Sequence, residues 1–158
     1  MGYTLYWNYR KPNDKEKVRT SFSPEFKKKV QDAIKVASSH GITLGDWDGD
    51  TLKDEPLTDT VIRFNGSRPN CCETFNLTAC APQGYWDCCK TNWNSYTVLC
   101  MEILQLALED GILEDWSTDG NDQELKDEWH KLYKRNSNEG EQTWEEDCTP
   151  KNTLDENN

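Results

Sequence analysis

The sequence predicts a small α+β domain, in which a mostly antiparallel sheet of about three to four strands packs against three helices. Two observations predict this class. Short aromatic or β-branched segments alternate with longer stretches whose apolar residues recur at helical spacing. The length of 158 residues also matches the size of one domain. The predicted order of the elements is β-α-β-β-α-β-α.

The first two elements have the clearest local signals. Residues 2–7, GYTLYW, are aromatic and β-prone, so they predict a strand. A helix is predicted over 24–40, because Ser23 can cap its first turn and Pro24 suits its first position. Gly41 suits the residue that ends it.

Two short strands follow in the middle of the chain. Residues 61–64 predict one strand, which ends at the turn-forming pair Asn65-Gly66. Residues 72–77 alternate in polarity and predict its antiparallel neighbour. Residues 78–94 are predicted to be a long loop, and long ordered loops often carry function.

The last three elements are a helix over 95–109 with Ser95 as its cap, a strand near 112–116 and a helix over 122–135. The first of these helices is apolar on nearly every side, which predicts a place at the centre of the fold. The predicted domain therefore covers residues 1–135. Residues 136–158 are polar and acidic, so we expect a partly flexible tail there.

Charge is distributed unevenly along the chain. Residues 1–40 contain nine Lys/Arg and four Asp/Glu, a net of +5, and the nine Lys/Arg and 25 Asp/Glu of residues 41–158 give a net of -16. Direct binding to nucleic acid is disfavoured, because it needs a basic face. An acidic surface can instead bind a basic partner protein or simply maintain solubility. The candidate partner-binding residues are the carboxylates of one polar loop: Asp46, Asp48, Asp50, Asp54 and Glu55.

Neither of two metal patterns is complete. The run from Asp46 to Thr51 is similar to a calcium loop, but the EF-hand pattern needs Gly and Glu where Thr51 and Leu57 stand. The cysteines include the adjacent pairs Cys71-Cys72 and Cys88-Cys89, whereas zinc sites space their cysteines by two to four residues. We therefore predict no metal and no cofactor.

Catalysis lacks an identifiable base. The chain has two histidines, His40 at the predicted end of a helix and His130 on a polar helix face. A nucleophile needs a neighbouring base, and a Cys89–His130 pair is the one arrangement that the sequence leaves open. We predict no catalytic residue, and we favour binding over catalysis without excluding an enzyme.

The expected location is the cytoplasm of a host cell. The first residues contain no apolar signal segment, and no stretch approaches the 18 or so apolar residues of a membrane span. We therefore predict no membrane contact. The seven cysteines are expected to stay reduced there, most of them as small buried apolar residues.

Five short segments in order resemble a family of small uncharacterised proteins from phages and bacterial genomes. The segments are MGYTLYW at Met1 to Trp7, FNG at Phe64 to Gly66, CETF at Cys72 to Phe75, CCKT at Cys88 to Thr91 and STDG at Ser117 to Gly120. The resemblance covers roughly residues 1–135. Leu5 stands where members have His, Cys88 where they have Phe, and Asn92 to Thr97 replaces their ARKPYD segment. The resemblance implies a phage or prophage setting, and it implies no particular reaction.

Two functional hypotheses follow. The first is a phage accessory protein whose acidic face binds a host protein, such as a defence or nucleic-acid-handling factor, in the manner of an anti-CRISPR protein. The second is a pocket for a small ligand such as a nucleotide, in which Lys90 neutralises an anion and Glu73 or Asp119 accepts hydrogen bonds. Its candidate ligand-binding residues are Tyr3, Trp7, Asn65, Gly66, Glu73, Cys89, Lys90, Thr91, Ser117, Asp119 and Gly120.

Overall fold

The computed structural model describes residues 2–12, 19–81 and 85–140, and it confirms an α+β fold. Its elements are β1 (Thr4–Tyr9), α1 (Pro24–Ser39), β2 (Leu44–Gly45), β3 (Val61–Gly66), β4 (Phe75–Thr78), β5 (Trp86–Lys90), α2 (Thr97–Glu109), β6 (Leu113–Thr118) and α3 (Gln123–Leu132). The strands form two antiparallel sheets of three strands each. The predicted order of elements is kept, with β2 and β5 added to it.

The first sheet has the strand order β5-β1-β6. Thr4 lies opposite Lys90, and Leu5 lies opposite both Cys89 and Thr118. Because both pairings are antiparallel, the start of β1 lies beside the ends of β5 and β6. We call this end of the sheet the Thr4 edge.

The second sheet has the order β2-β3-β4 and packs against the first through aromatic rings. Phe75 of β4 lies between Trp7 of β1 and Phe64 of β3, with ring centroids 5.3 Å apart in each pair. All three side chains are buried. The aromatic residues that suggested strands therefore join the two sheets into one core.

Helix α2 occupies the centre of the fold, as its apolar sequence predicts. It packs against α1, α3 and β6, and ten of its 13 residues are buried. Its start differs from the prediction, because the helix follows Tyr96 and Ser95 provides no side-chain cap. The predicted cap of α1 is confirmed, since Ser23 Oγ accepts a hydrogen bond from Phe26 N at 3.1 Å.

The chain after α3 folds back onto the domain. Arg135 pairs with Glu102 of α2 at 2.6 Å and with Glu139 at 2.7 Å. His130 Nε2 lies 2.7 Å from the carbonyl oxygen of Glu139. Residues 136–140 are thus held by α2 and α3, and the remainder of the predicted flexible tail lies outside the described residues. Within the described ranges, every helix is too short or too polar to cross a membrane.

Candidate binding site

The Thr4 edge brings three of the sequence motifs together. Asp119, which follows β6, accepts hydrogen bonds from Thr4 N at 2.9 Å and from Tyr6 Oη at 2.7 Å. Thr91, which follows β5, donates its backbone N–H to Tyr3 O at 2.9 Å. The antiparallel order of the sheet explains this convergence, because the GYTLYW, CCKT and STDG segments all lie at the same strand ends.

Glu73 adds the CETF motif to this edge. Its carboxylate accepts a hydrogen bond from Lys90 N at 2.7 Å, and its carbonyl oxygen accepts one from Tyr96 Oη at 2.7 Å. Cys89 Sγ also lies 3.5 Å from that carbonyl. Burial raises the pKa of the Cys89 thiol well above its ordinary range, so this thiol stays neutral near pH 7.

Asn65 and Gly66 shape a turn of the second sheet instead. Asn65 Oδ1 accepts hydrogen bonds from the N–H groups of Gly66 at 2.7 Å and of Cys72 at 3.0 Å. A Cβ on Gly66 would lie 2.0 Å from Asn70 O, so only glycine fits there. Trp7 and Ser117 are buried as well. The predicted residues therefore divide into an edge cluster and a structural group.

A groove opens beside the Thr4 edge, just past the ends of β5 and β6. It has a volume of about 640 Å³ and is lined by Trp93, by residues 121–125 and by Glu128. The Trp93 side chain is 41% exposed, and its ring contacts that of Tyr3 with centroids 5.4 Å apart. We call this feature the Trp93 groove.

The backbone around the Trp93 groove is strained. Asn92, Trp93 and Asn121 have φ angles of 54°, 60° and 55°. The left-handed region suits asparagine, but it is a genuine outlier for a residue as bulky as tryptophan. Such strain concentrates at binding and catalytic sites, where the surrounding structure holds it in place.

Asp122 forms the buried wall of the groove. Its carboxylate accepts a hydrogen bond from Tyr3 Oη and lies 3.7 Å from Lys126 Nζ, and the side chains of Asp122 and Lys126 are 5% and 8% exposed. Burial and the hydrogen bond to Asp122 raise the pKa of Tyr3, so its hydroxyl remains a donor. Glu124 and Glu128 are exposed on the rim, and neither pairs with a cation of the described chain.

Three of the five candidate partner-binding residues, Asp46, Asp48 and Asp50, lie on a second exposed site, which we call the Trp47 loop (residues 46–50). Asp46 Oδ1 accepts hydrogen bonds from Asp48 N at 3.3 Å and Asp50 N at 3.0 Å. Arg68 Nε donates to Asp48 O at 2.9 Å, and the Arg68 guanidinium lies 3.2 Å from Asp50 Oδ1. These contacts fix a tight loop, and the Trp47 side chain projects from it 77% exposed. Asp54 and Glu55 are exposed a few residues further on.

The carboxylates of Asp46, Asp48 and Asp50 could hold a metal ion. One oxygen from each lies within 4.8 Å of the others, and no other group of this kind occurs in the described part of the chain. A hydrogen bond between the carboxyl groups of Asp46 and Asp48 raises the pKa of Asp46 and lowers the pKa of Asp48. Arg68 supplies a positive charge beside Asp48 and Asp50, which offsets part of the repulsion among these carboxylates.

Two of the exposed tryptophans, Trp47 and Trp93, lie on loops that are fastened to the same segment. Asn65 Nδ2 donates to Trp47 O at 3.3 Å and to Cys72 O at 2.9 Å. Asn94 Nδ2, one residue after Trp93, donates to Cys71 O at 3.1 Å. The segment at Cys71 and Cys72 therefore links the two loops.

Neither ring nitrogen of His130 contacts a cysteine, since its Nε2 lies 2.7 Å from the carbonyl oxygen of Glu139. His130 stacks on Trp129, and its Nδ1 has no hydrogen-bond partner, so the Cys89–His130 pair does not form in this structure. Comparisons with protein-family models, curated proteins and solved structures find no match to this chain.

Proposed function

We propose that the protein acts by binding a partner protein with a basic surface, and that the Trp47 loop is a main contact. The observation that carries this proposal is the 77% exposure of Trp47 on a fixed loop between carboxylates. An exposed tryptophan gains much of its burial energy only when a partner covers it, and tryptophan is enriched among residues that dominate binding energy. The neighbouring carboxylates would meet basic groups at the rim of the contact.

The charge of the chain supports a basic partner. Residues 41–158 carry a net charge of -16, which repels nucleic acid and attracts proteins that bind it. In the phage setting that the resemblance implies, the partner would be a defence or nucleic-acid-handling protein of the host cytoplasm. The carboxylates would then occupy the positions that phosphates normally take on that partner.

Capture from a bacterial lysate at about 50 mM and about 500 mM salt tests this proposal, because screening shortens the reach of charge interactions. We expect a DNA- or RNA-binding protein to be retained at low salt and released at high salt. Trp47→Ala should abolish its capture. Trp86→Ala is the matched control. Trp86 is also exposed, at 58%, but it begins β5, at the end of the strand away from the Thr4 edge. Equal capture by Trp47→Ala and the unaltered protein would overturn the proposal.

A small ligand in the Trp93 groove is the second candidate, and it is favoured by the strained, half-exposed Trp93 beside the groove. Three carboxylates line this groove, so nucleosides are better candidates than nucleotides. A ligand at 100 times its dissociation constant should add about 2.7 kcal/mol to stability. A thermal-shift screen that compares guanosine with its monophosphate tests this candidate, and the absence of any shift would exclude it.

A further inference from the structure

We infer that the Trp93 groove receives the guanidinium group of an arginine side chain from the partner. This inference rests on the proposed function, since it assumes a partner with a basic surface, and it assigns a second contact to that partner. The groove offers an exposed aromatic ring, a volume of about 640 Å³ and carboxylates along one wall. Arginine is the side chain that combines a flat cation with the ability to stack on such a ring.

The charges at the groove select a cation over an anion. Lys126 offsets the buried charge of Asp122, since their side-chain atoms lie 3.7 Å apart and both are nearly inaccessible. Glu124 and Glu128 add two further negative charges, and no basic side chain lines the groove within the described residues. Among the described side chains, a phosphate would therefore meet repulsion, and a cation would meet two carboxylates that have no cationic partner.

The arrangement of these groups favours a guanidinium over an ammonium ion. Glu124 and Glu128 are four residues apart on α3, so they lie on the same face of the helix, one turn apart. A guanidinium is a planar fork that can donate to a carboxylate with two N–H groups and still stack on a ring. Trp93 lines the groove and is 41% exposed, so part of it is accessible for stacking.

The groove and the Trp47 loop are linked through one segment, and we assign both contacts to the same partner. Both loops are fastened to Cys71 and Cys72 through the side chains of Asn65 and Asn94. One basic surface could place its arginine in the groove and a nearby apolar pocket over Trp47. The two contacts would then reinforce each other, because the second forms at a high effective concentration once the first is made.

Binding of three capped amino acids tests the inference. The probes are the N-acetyl methylamides of arginine, of lysine and of citrulline, which has the shape of arginine without its charge. Two-dimensional amide NMR of the full chain would follow each titration. We expect arginine to shift the signals of residues 121–128 and the Trp93 indole, with an affinity about tenfold above citrulline and about threefold above lysine.

Matched variants separate binding from folding. Trp93→Asn keeps a residue that tolerates the left-handed backbone, and Glu124→Gln and Glu128→Gln remove charge with little change of shape. Each should weaken arginine binding about fivefold or more. Glu114→Gln is the control, because Glu114 is exposed at the opposite end of β6 and should leave the affinity unchanged.

Hexa-arginine and hexa-lysine peptides distinguish failure of this inference from failure of the proposed function. Tighter binding of hexa-arginine that is lost in Trp93→Asn supports the inference. Equal binding of both peptides that Trp93→Asn does not change overturns the inference and leaves the proposed function standing. If neither peptide binds at low salt, both ideas fail. Binding of guanosine but not of capped arginine in the groove overturns the inference in favour of a small ligand.

Discussion

The Trp47 loop and the Trp93 groove combine the same elements, an exposed tryptophan and several carboxylates, in opposite ways. In the Trp47 loop, the carboxylates bind backbone N–H groups and Arg68, and the ring projects outward. In the Trp93 groove, the buried Asp122 is paired with Lys126, the rim carboxylates are unpaired among the described residues, and the ring forms a wall. Under the proposed function, the first site would enter a partner, and the second would admit a group from one.

Removing the structural carboxylate of each site should show the largest difference. Asp122→Ala leaves Lys126 and the Tyr3 hydroxyl buried without their partner, so we expect a loss of about 3–5 kcal/mol in the free energy of unfolding. Asp48→Ala removes a partly exposed group whose surroundings water can reach, so it should cost much less than Asp122→Ala. Urea denaturation measures both. Similar losses for the two variants would mean that the groove is no more rigidly built than the loop.

A glycine substitution tests how firmly the Trp47 loop is held. Gly49 has a φ of 87°, and a Cβ there would lie 2.7 Å from Cys71 Sγ, so Gly49→Ala combines backbone strain with a clash. We expect a cost of about 2–3 kcal/mol and weaker partner capture. Gly41→Ala is the control, because Gly41 has a φ of 81° with nothing within 4 Å. It should cost about 1 kcal/mol and leave capture intact.

The backbone conformations of the two tryptophans predict opposite responses to alanine and glycine. Trp93 has a φ of 60°, so Trp93→Gly should be about 1 kcal/mol more stable than Trp93→Ala. Trp47 is not among the residues with positive φ, so Trp47→Gly should be no more stable than Trp47→Ala. Thermal unfolding of the four variants measures this. If Trp93→Gly were no more stable than Trp93→Ala, the backbone at Trp93 would be unstrained.

Local signals in the sequence were sufficient for the helices and most of the strands. Ser23-Pro24 specified the start of α1 through its own side chain and ring, and the apolar surface of α2 specified its central place. Strand β5 was missed because WDCCK has no clear alternation, and its pairing partner β1 lies about 80 residues away in the chain. Non-local pairing of this kind leaves no local signature.

The candidate sites were predicted only in part, for a similar reason. Lys90, Thr91 and Asp119 could be placed at element ends, and an antiparallel sheet then brought those ends together. Glu124 and Glu128 resemble any exposed helix face in the sequence, so the groove that they line could not be predicted. A tryptophan between Asn92 and Asn94 was the one available signal, since asparagine favours left-handed and turn conformations.

The smallest expected effect concerns the acidity of the Trp47 loop. The hydrogen bond between the side chains of Asp46 and Asp48 raises the pKa of Asp46. In moderately acidic solution, Asp46 therefore retains a proton that a basic partner must displace. Affinity at this loop should therefore rise as pH increases through the raised pKa of Asp46 and then level off. Because the group is exposed, we expect a change of only about twofold. Titration of hexa-arginine at several pH values measures it, and Asp46→Asn should flatten the profile. An unchanged profile in Asp46→Asn would assign the pH dependence to carboxylates elsewhere, the Trp93 groove included.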